Sequence, residues 1–94
     1  MIIIRNCFVA KPGQASKLAA QLKDAATVMG VKTRVLTDVT GDFNRVFLEI
    51  EAQDFAEFEG RMRDYRTNEA FREKMKGYTD LWMSGHREIL QVTE

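Results

Sequence analysis

With one cysteine, one proline, one histidine and one tryptophan among 94 residues, the chain lacks the raw material of several protein classes. A lone Cys7 can form neither an internal disulfide nor a multi-cysteine metal site, which suits a reducing compartment. A lone His86 rules out the paired histidines of common metal motifs, and no metal site is expected. No long hydrophobic run occurs: Met1-Ile2-Ile3-Ile4 meets Arg5 and Asn6 at once, too soon for a membrane span or a signal peptide. Neither sign of charge prevails, since fourteen Lys plus Arg offset fourteen Asp plus Glu. Without a net field there is little to hold nucleic acid or an anionic membrane, so neither is expected as a partner and the cytoplasm is the expected location. Glycine-rich phosphate loops, Ser/His/Asp arrangements, internal repeats and low-complexity tracts are also missing.

What remains has the make-up of an ordinary folded protein, 45% hydrophobic and 30% charged. The length suits one domain over residues 1–94. Such a chain buries only about 60 to 65% of its unfolded surface, so a partner that covers more would add stability.

Residues 2–10 are β-branched and aromatic, and Lys11-Pro12-Gly13 stops them, which predicts a first strand. Ala15, Leu18, Ala19, Leu22, Ala25, Ala26 and Met29 then recur at helical spacing, with Gly30 placed to end the helix. Runs 32–39 and 44–51 flank Thr40-Gly41-Asp42-Phe43 and predict a hairpin. Within the second run, Val46, Leu48 and Ile50 alternate with Arg45, Phe47, Glu49 and Glu51. Asp54 followed by Glu57 marks a second helical start, with Phe55, Phe58, Met62 and Tyr65 on one stripe. A break is expected near Arg66-Thr67, with Thr67 as a new cap. A further helical stripe through Phe71, Met75, Tyr78, Leu81 and Trp82 should then end at Gly85. Residues 86–92 supply the last strand. The order βαββαβ predicts an α+β, ferredoxin-like fold with a four-stranded antiparallel sheet and helices on one face.

If the helices cover Val46, Leu48 and Ile50, then Leu36 and Phe47 lie on a face with no intrachain cover. A homodimer closing sheet on sheet would bury them, along with the charged Arg34, Asp38, Arg45 and Glu49. Arg34, Arg45, Phe47 and Glu49 are therefore candidates to line or border a polar interior that holds a small organic ligand. Strand alternation is read as turning Cys7 and Arg5 toward the helices, opposite Asn6.

Lys11-Pro12-Gly13 after the first strand, Val35 through Asn44 across the hairpin, and Gly85-His86-Arg87-Glu88-Ile89 into the last strand carry a family resemblance. On these residues the chain resembles the dimeric α/β-barrel superfamily, which includes antibiotic-biosynthesis-type monooxygenases and the NIPSNAP-like small bacterial proteins. The resemblance implies a dimeric α/β barrel and leaves the reaction open. Haem-degrading members use an Asn on strand one together with a Trp and a His, which points to Asn6, Trp82 and His86 as candidate catalytic residues. Cofactor-independent members oxidise polyphenols in a pocket lined by Asn, Trp and Tyr, types that Asn6, Trp82, Tyr65 and Tyr78 supply. Only four positions separate Trp82 from His86, closer than the haem-degrading pattern, so no cofactor is assigned and haem is not expected to be native.

Each candidate also has a plainer reading. His86 reads as a surface or hydrogen-bonded histidine and Trp82 as a packing residue on its stripe. Cys7 reads as a small hydrophobe, and the mixed charges of 49–76 as a solvated helix surface. Asn6 is the more telling residue, because an amide within an apolar strand needs partners for both donor and acceptor. The leading expectation is a homodimeric protein binding a small organic ligand, either between sheet and helices or in the dimer interior. The alternatives are a monooxygenase and a purely structural or regulatory dimer.

Overall fold

All 94 residues are described by a computed structural model. The β-branched start forms β1 (Ile2–Ala10), and Ala15–Ala26 forms α1. A hairpin of β2 (Thr33–Thr37) and β3 (Arg45–Ala52) follows, then α2 (Phe55–Thr67), α3 (Glu69–Lys74), a 3-10 turn over Tyr78–Leu81, and β4 (Trp82–Gln91). The strands lie in the order β2-β3-β1-β4 with every neighbouring pair antiparallel, which is the ferredoxin-like topology. No helix is long and apolar enough to cross a membrane.

Cross-strand register decides which side chains meet. Ile4 stands opposite Ile50, Asn6 opposite Leu48, and Phe8 opposite Val46, and residues directly opposite share a face. That face packs under the helices: Ile4, Val46, Leu48 and Ile50 join Leu18, Leu22, Phe58 and Tyr65 in one buried cluster. Each large apolar side chain so buried contributes ~1.5 to 3 kcal/mol. Polar ties fix the cover. Tyr65 donates from its hydroxyl to Met29 O at 2.8 Å, and Gln21 Nε2 donates to Lys74 O and Lys76 O, both at 2.9 Å. The Gln21 amide thus anchors the end of α3 to α1.

The helix start at Asp54 forms as its residue type predicts, with Glu57 N donating to Asp54 Oδ1 at 2.9 Å. At the break, Asn68 rather than Thr67 caps α3, accepting from Phe71 N at 2.9 Å. The expected helical stripe from Phe71 to Trp82 is replaced by three pieces. α3 stops at Lys74, Gly77 turns the chain at φ +79°, and Trp82 opens β4. Gly85 is therefore a strand residue and not a helix stop. It sits opposite Phe8, where an added Cβ would lie 2.8 Å from Cys7 O, so the close approach of β1 and β4 requires glycine.

The facing expected for Cys7 and Arg5 is reversed. Both leave β1 on the uncovered side, and Asn6 faces the helices. The register pairs Cys7 with Phe47 and Arg5 with Glu49, and Cys7 stands outside the buried cluster beneath the helices. Three successive isoleucines at the start of β1 carry no alternation by which the two faces could be told apart in sequence.

Candidate functional site

Between the sheet and the α2 to 3-10 segment lies a cleft of about 430 Å³. Leu48 and Ile50 of β3 and Asn6 and Phe8 of β1 form its floor, while Met62, Tyr65, Phe71 and Met75 wall it from above. Tyr65 and Phe71 stack with centroids 4.9 Å apart. At the other end Phe8 meets Trp82 edge-on at 5.4 Å and Tyr78 at 6.3 Å, so the aromatic rings hold one another in place. Breaking the helix after Lys74 is what turns Tyr78 and Trp82 into this wall.

Polar groups are few here, and most of them are donors. Arg87, opposite Asn6 on β4, donates from Nε to Asn6 Oδ1 at 2.6 Å, and its guanidinium lies 5.3 Å from the Phe58 ring centroid. Burial pushes the Tyr65 hydroxyl above its ordinary pKa, consistent with its role as donor to Met29 O. Trp82 Nε1 is buried without a hydrogen-bond partner.

The structure brings Asn6 and Trp82 to this cleft and separates His86 from them. His86 is opposite Cys7, and its side chain leaves from the other face, 3.8 Å from Glu88. Cys7 and His86 border the cleft only through strand positions whose side chains point away. An Asn, Trp and His set around one haem is therefore not assembled, and the residues do not fit a His-ligated haem iron in this cleft. No group of three His, Cys, Asp or Glu side chains converges as a metal site. Neither Arg87 nor Phe58, whose ring supports the Arg87 guanidinium, is marked as functional by type or spacing in the sequence. The only signal for Arg87 was its place one residue after His86, and only the strand register shows that it meets Asn6.

Arg34, Arg45, Phe47 and Glu49 all occupy the uncovered face. Across β2, β3, β1 and β4 the row Arg34, Glu49, Arg5, Glu88 alternates in charge, and beside it runs the row Leu36, Phe47, Cys7, His86. Glu49 is only 6% exposed and accepts from Arg34 Nε at 2.7 Å and Arg5 Nε at 2.8 Å. Arg45 pairs elsewhere: its side chain reaches Asp38 at 2.9 Å and stands 5.2 Å from the Phe47 ring centroid. Glu49 and Arg45 thus belong to separate networks. At Asp38 burial opposes ionisation, but the hydrogen bonds from Arg45 outweigh it and hold the carboxyl below its usual range. Burial, as the largest influence, pushes the Cys7 thiol up.

The Arg34 guanidinium, opposed by burial and helped by Arg5, holds the Glu49 carboxyl below its ordinary value of 4.5. A depressed folded pKa stabilises fully above the unfolded value, and that contribution is lost as pH falls through the folded one. Glu49→Gln should therefore be less stable than the parent near neutrality, by ~1 to 2 kcal/mol, the cost of weakening part-buried charge-assisted hydrogen bonds whose arginine donors reach solvent. The difference should shrink on the acid side of 4.5. Urea unfolding of both proteins between about pH 6 and pH 3 checks this, and a pH-independent difference would contradict it.

No protein-family model matches the chain, and no curated protein matches it. Solved structures do match. An uncharacterised NIPSNAP domain protein from Burkholderia xenovorans superposes with a TM-score of 0.85 at 10% identity, over 99% of this chain and 95% of that one. A NIPSNAP family protein from Agrobacterium tumefaciens gives 0.86 at 12% identity, over 99% and 86%. SnoaB, a cofactor-independent oxygenase from Streptomyces nogalater, gives 0.72 at 12% identity, over 99% and 93%. The fold is the one these NIPSNAP and antibiotic-biosynthesis-monooxygenase-like structures share. At such identities the likeness describes the fold alone.

Proposed function

We propose that the protein binds a small, largely apolar organic molecule in the cleft between sheet and helices, and that it works as a homodimer closed sheet on sheet. The cleft carries the first half of the reading: about 430 Å³ walled mainly by aromatic and methionine side chains, with the Asn6 and Arg87 pair among its few polar groups. Binding sites for small molecules have this volume and this balance of apolar wall and sparse polar contacts. The second half is supported by the uncovered sheet face, where Leu36 is 37% and Leu90 40% exposed. Arg34, Arg45, Phe47 and Glu49 would then border the dimer's interior.

Trp82 is the only tryptophan and lines the cleft, so its fluorescence reports occupancy directly. Titration with a panel of one- to three-ring aromatic compounds is expected to give a saturable change. Met62→Glu, which sets a carboxylate between α2 and the sheet, should weaken binding by ~tenfold or more. Absence of a saturable change across the panel would leave a structural or regulatory dimer as the better description.

An oxygenase reading has one specific support, that Asn6 and Trp82 share this cleft. SnoaB, of like fold, is a cofactor-independent oxygenase. Following the same titration of phenolic compounds with an oxygen electrode separates the two readings. Ligand-dependent oxygen uptake would make the protein a catalyst, and binding without uptake keeps it a binder.

A further inference from the structure

We infer that the ligand of this cleft is an organic acid whose carboxylate docks on Arg87 and Asn6 while its apolar body enters between sheet and helices. This rests on the binding reading above and names the ligand class within it. Arg87 is held at two points, by the 2.6 Å bond from Nε to Asn6 Oδ1 and by the Phe58 ring beneath its guanidinium. Using Nε in this way leaves the two terminal nitrogens of the fork free. Arg87 has no carboxylate partner in the chain.

The surroundings are short of anions in the same place. An adjoining groove shares Met62 and Arg87 with the cleft and adds Arg63, Arg66 and a single carboxylate, Glu59. Arg63 and Arg66 are likewise in no ion pair. Three arginines against one glutamate is a local excess on a chain whose formal charges cancel. Asn6 spends its carbonyl on Arg87, and its Nδ2 has no acceptor in the protein. Trp82 adds a third unpartnered donor.

A neutral apolar ligand would cover these donors and leave them unpaired, which costs free energy. A carboxylate only accepts, and its two oxygens match an arginine fork. The hydrophobic majority of the lining then sets the remainder of the molecule as apolar, and the stacked Tyr65 and Phe71 favour an aromatic body.

The test compares naphthoic acid with its methyl ester, titrated calorimetrically into the full chain at neutral pH. The acid is expected to bind at least ~tenfold more tightly than the ester, the scale of a charge-assisted bidentate contact. Arg87→Met should bring the ratio close to one, and Arg87→Lys should keep part of it, since a point charge replaces a fork. Arg87 is exposed on an edge strand, and far-UV circular dichroism verifies that both variants are folded. Equal binding of acid and ester by the parent protein, or a preference that survives Arg87→Met, would overturn the inference while leaving the cleft a binding site. Binding of neither compound would overturn both.

Discussion

Phe47→Asp is expected to leave the protein monomeric at micromolar concentrations at which the parent chain is expected to have twice the chain mass. Phe47 lies on β3, one of the two central strands, and on the face the helices do not cover. Its row neighbour Leu36 is 37% exposed, and the two form an apolar strip, bounded by the already buried Cys7, that a second copy would cover. In a two-fold dimer each substitution is counted twice, because the same patch serves both partners. Losing one large apolar side chain removes ~1.5 to 3 kcal/mol of burial, and the new carboxylate adds a desolvation cost. Two such changes, ~3 kcal/mol or more together, weaken association by at least ~100-fold, enough to dissolve a micromolar dimer. The isolated chain should still fold, since the substituted position is not under the helices. Light scattering with size exclusion reads the mass, and far-UV circular dichroism reads the fold. A monomeric parent would remove the sheet-on-sheet assembly outright. A dimeric variant would move the interface to another surface.

The other large effect concerns stability. Ile4→Ala should lower the unfolding free energy by ~2 to 5 kcal/mol, whereas Val39→Ser should change it by less than about 0.5. Ile4 is fully buried at the centre of the sheet, between Ile50 on β3 and Ile89 on β4. Truncating it forfeits transfer free energy and leaves a void that two flanking strands cannot collapse to fill. Val39 follows β2 at 96% exposure, so a hydroxyl there meets only water. Urea unfolding at one fixed protein concentration compares the three proteins with the same contribution from mass action. A loss at Ile4 no larger than that at Val39 would mean that β1 does not pack as described.

Much of the fold was legible because periodicity reports it locally. The alternation of Arg45 through Glu51 marks a strand with two unlike faces, and the recurrence from Ala15 to Met29 marks α1. The hairpin is longer than its turn residues suggest, since the strands stop at Thr37 and resume at Arg45. Asp38 explains this, for it holds Arg45 through both the backbone N–H, at 3.0 Å, and the side chain. The segment from Phe71 to Trp82 misleads because α3, a turn and the 3-10 residues each contribute apolar side chains to the same core. Their summed pattern imitates one continuous helix.

The site was less legible, and Asn6 shows why. An amide in an apolar strand signals that something polar must meet it, but the identity of the partner depends on the register of β4 against β1. That register places Arg87 opposite Asn6 and sends His86 to the other face. One residue of slip would exchange the two. The residue types and spacings by themselves determined the βαββαβ order, the greasy face of β3 and the want of any metal or phosphate motif, because each depends on near neighbours in the chain. Only the tertiary structure decided which way β1 faces, that Trp82 belongs to a strand, and that Glu49 pairs with Arg5 and Arg34 while Arg45 pairs with Asp38. Those outcomes rest on contacts between residues distant in sequence, where cross-strand register and the fit of side chains under the helices select one arrangement among several that local preference allows.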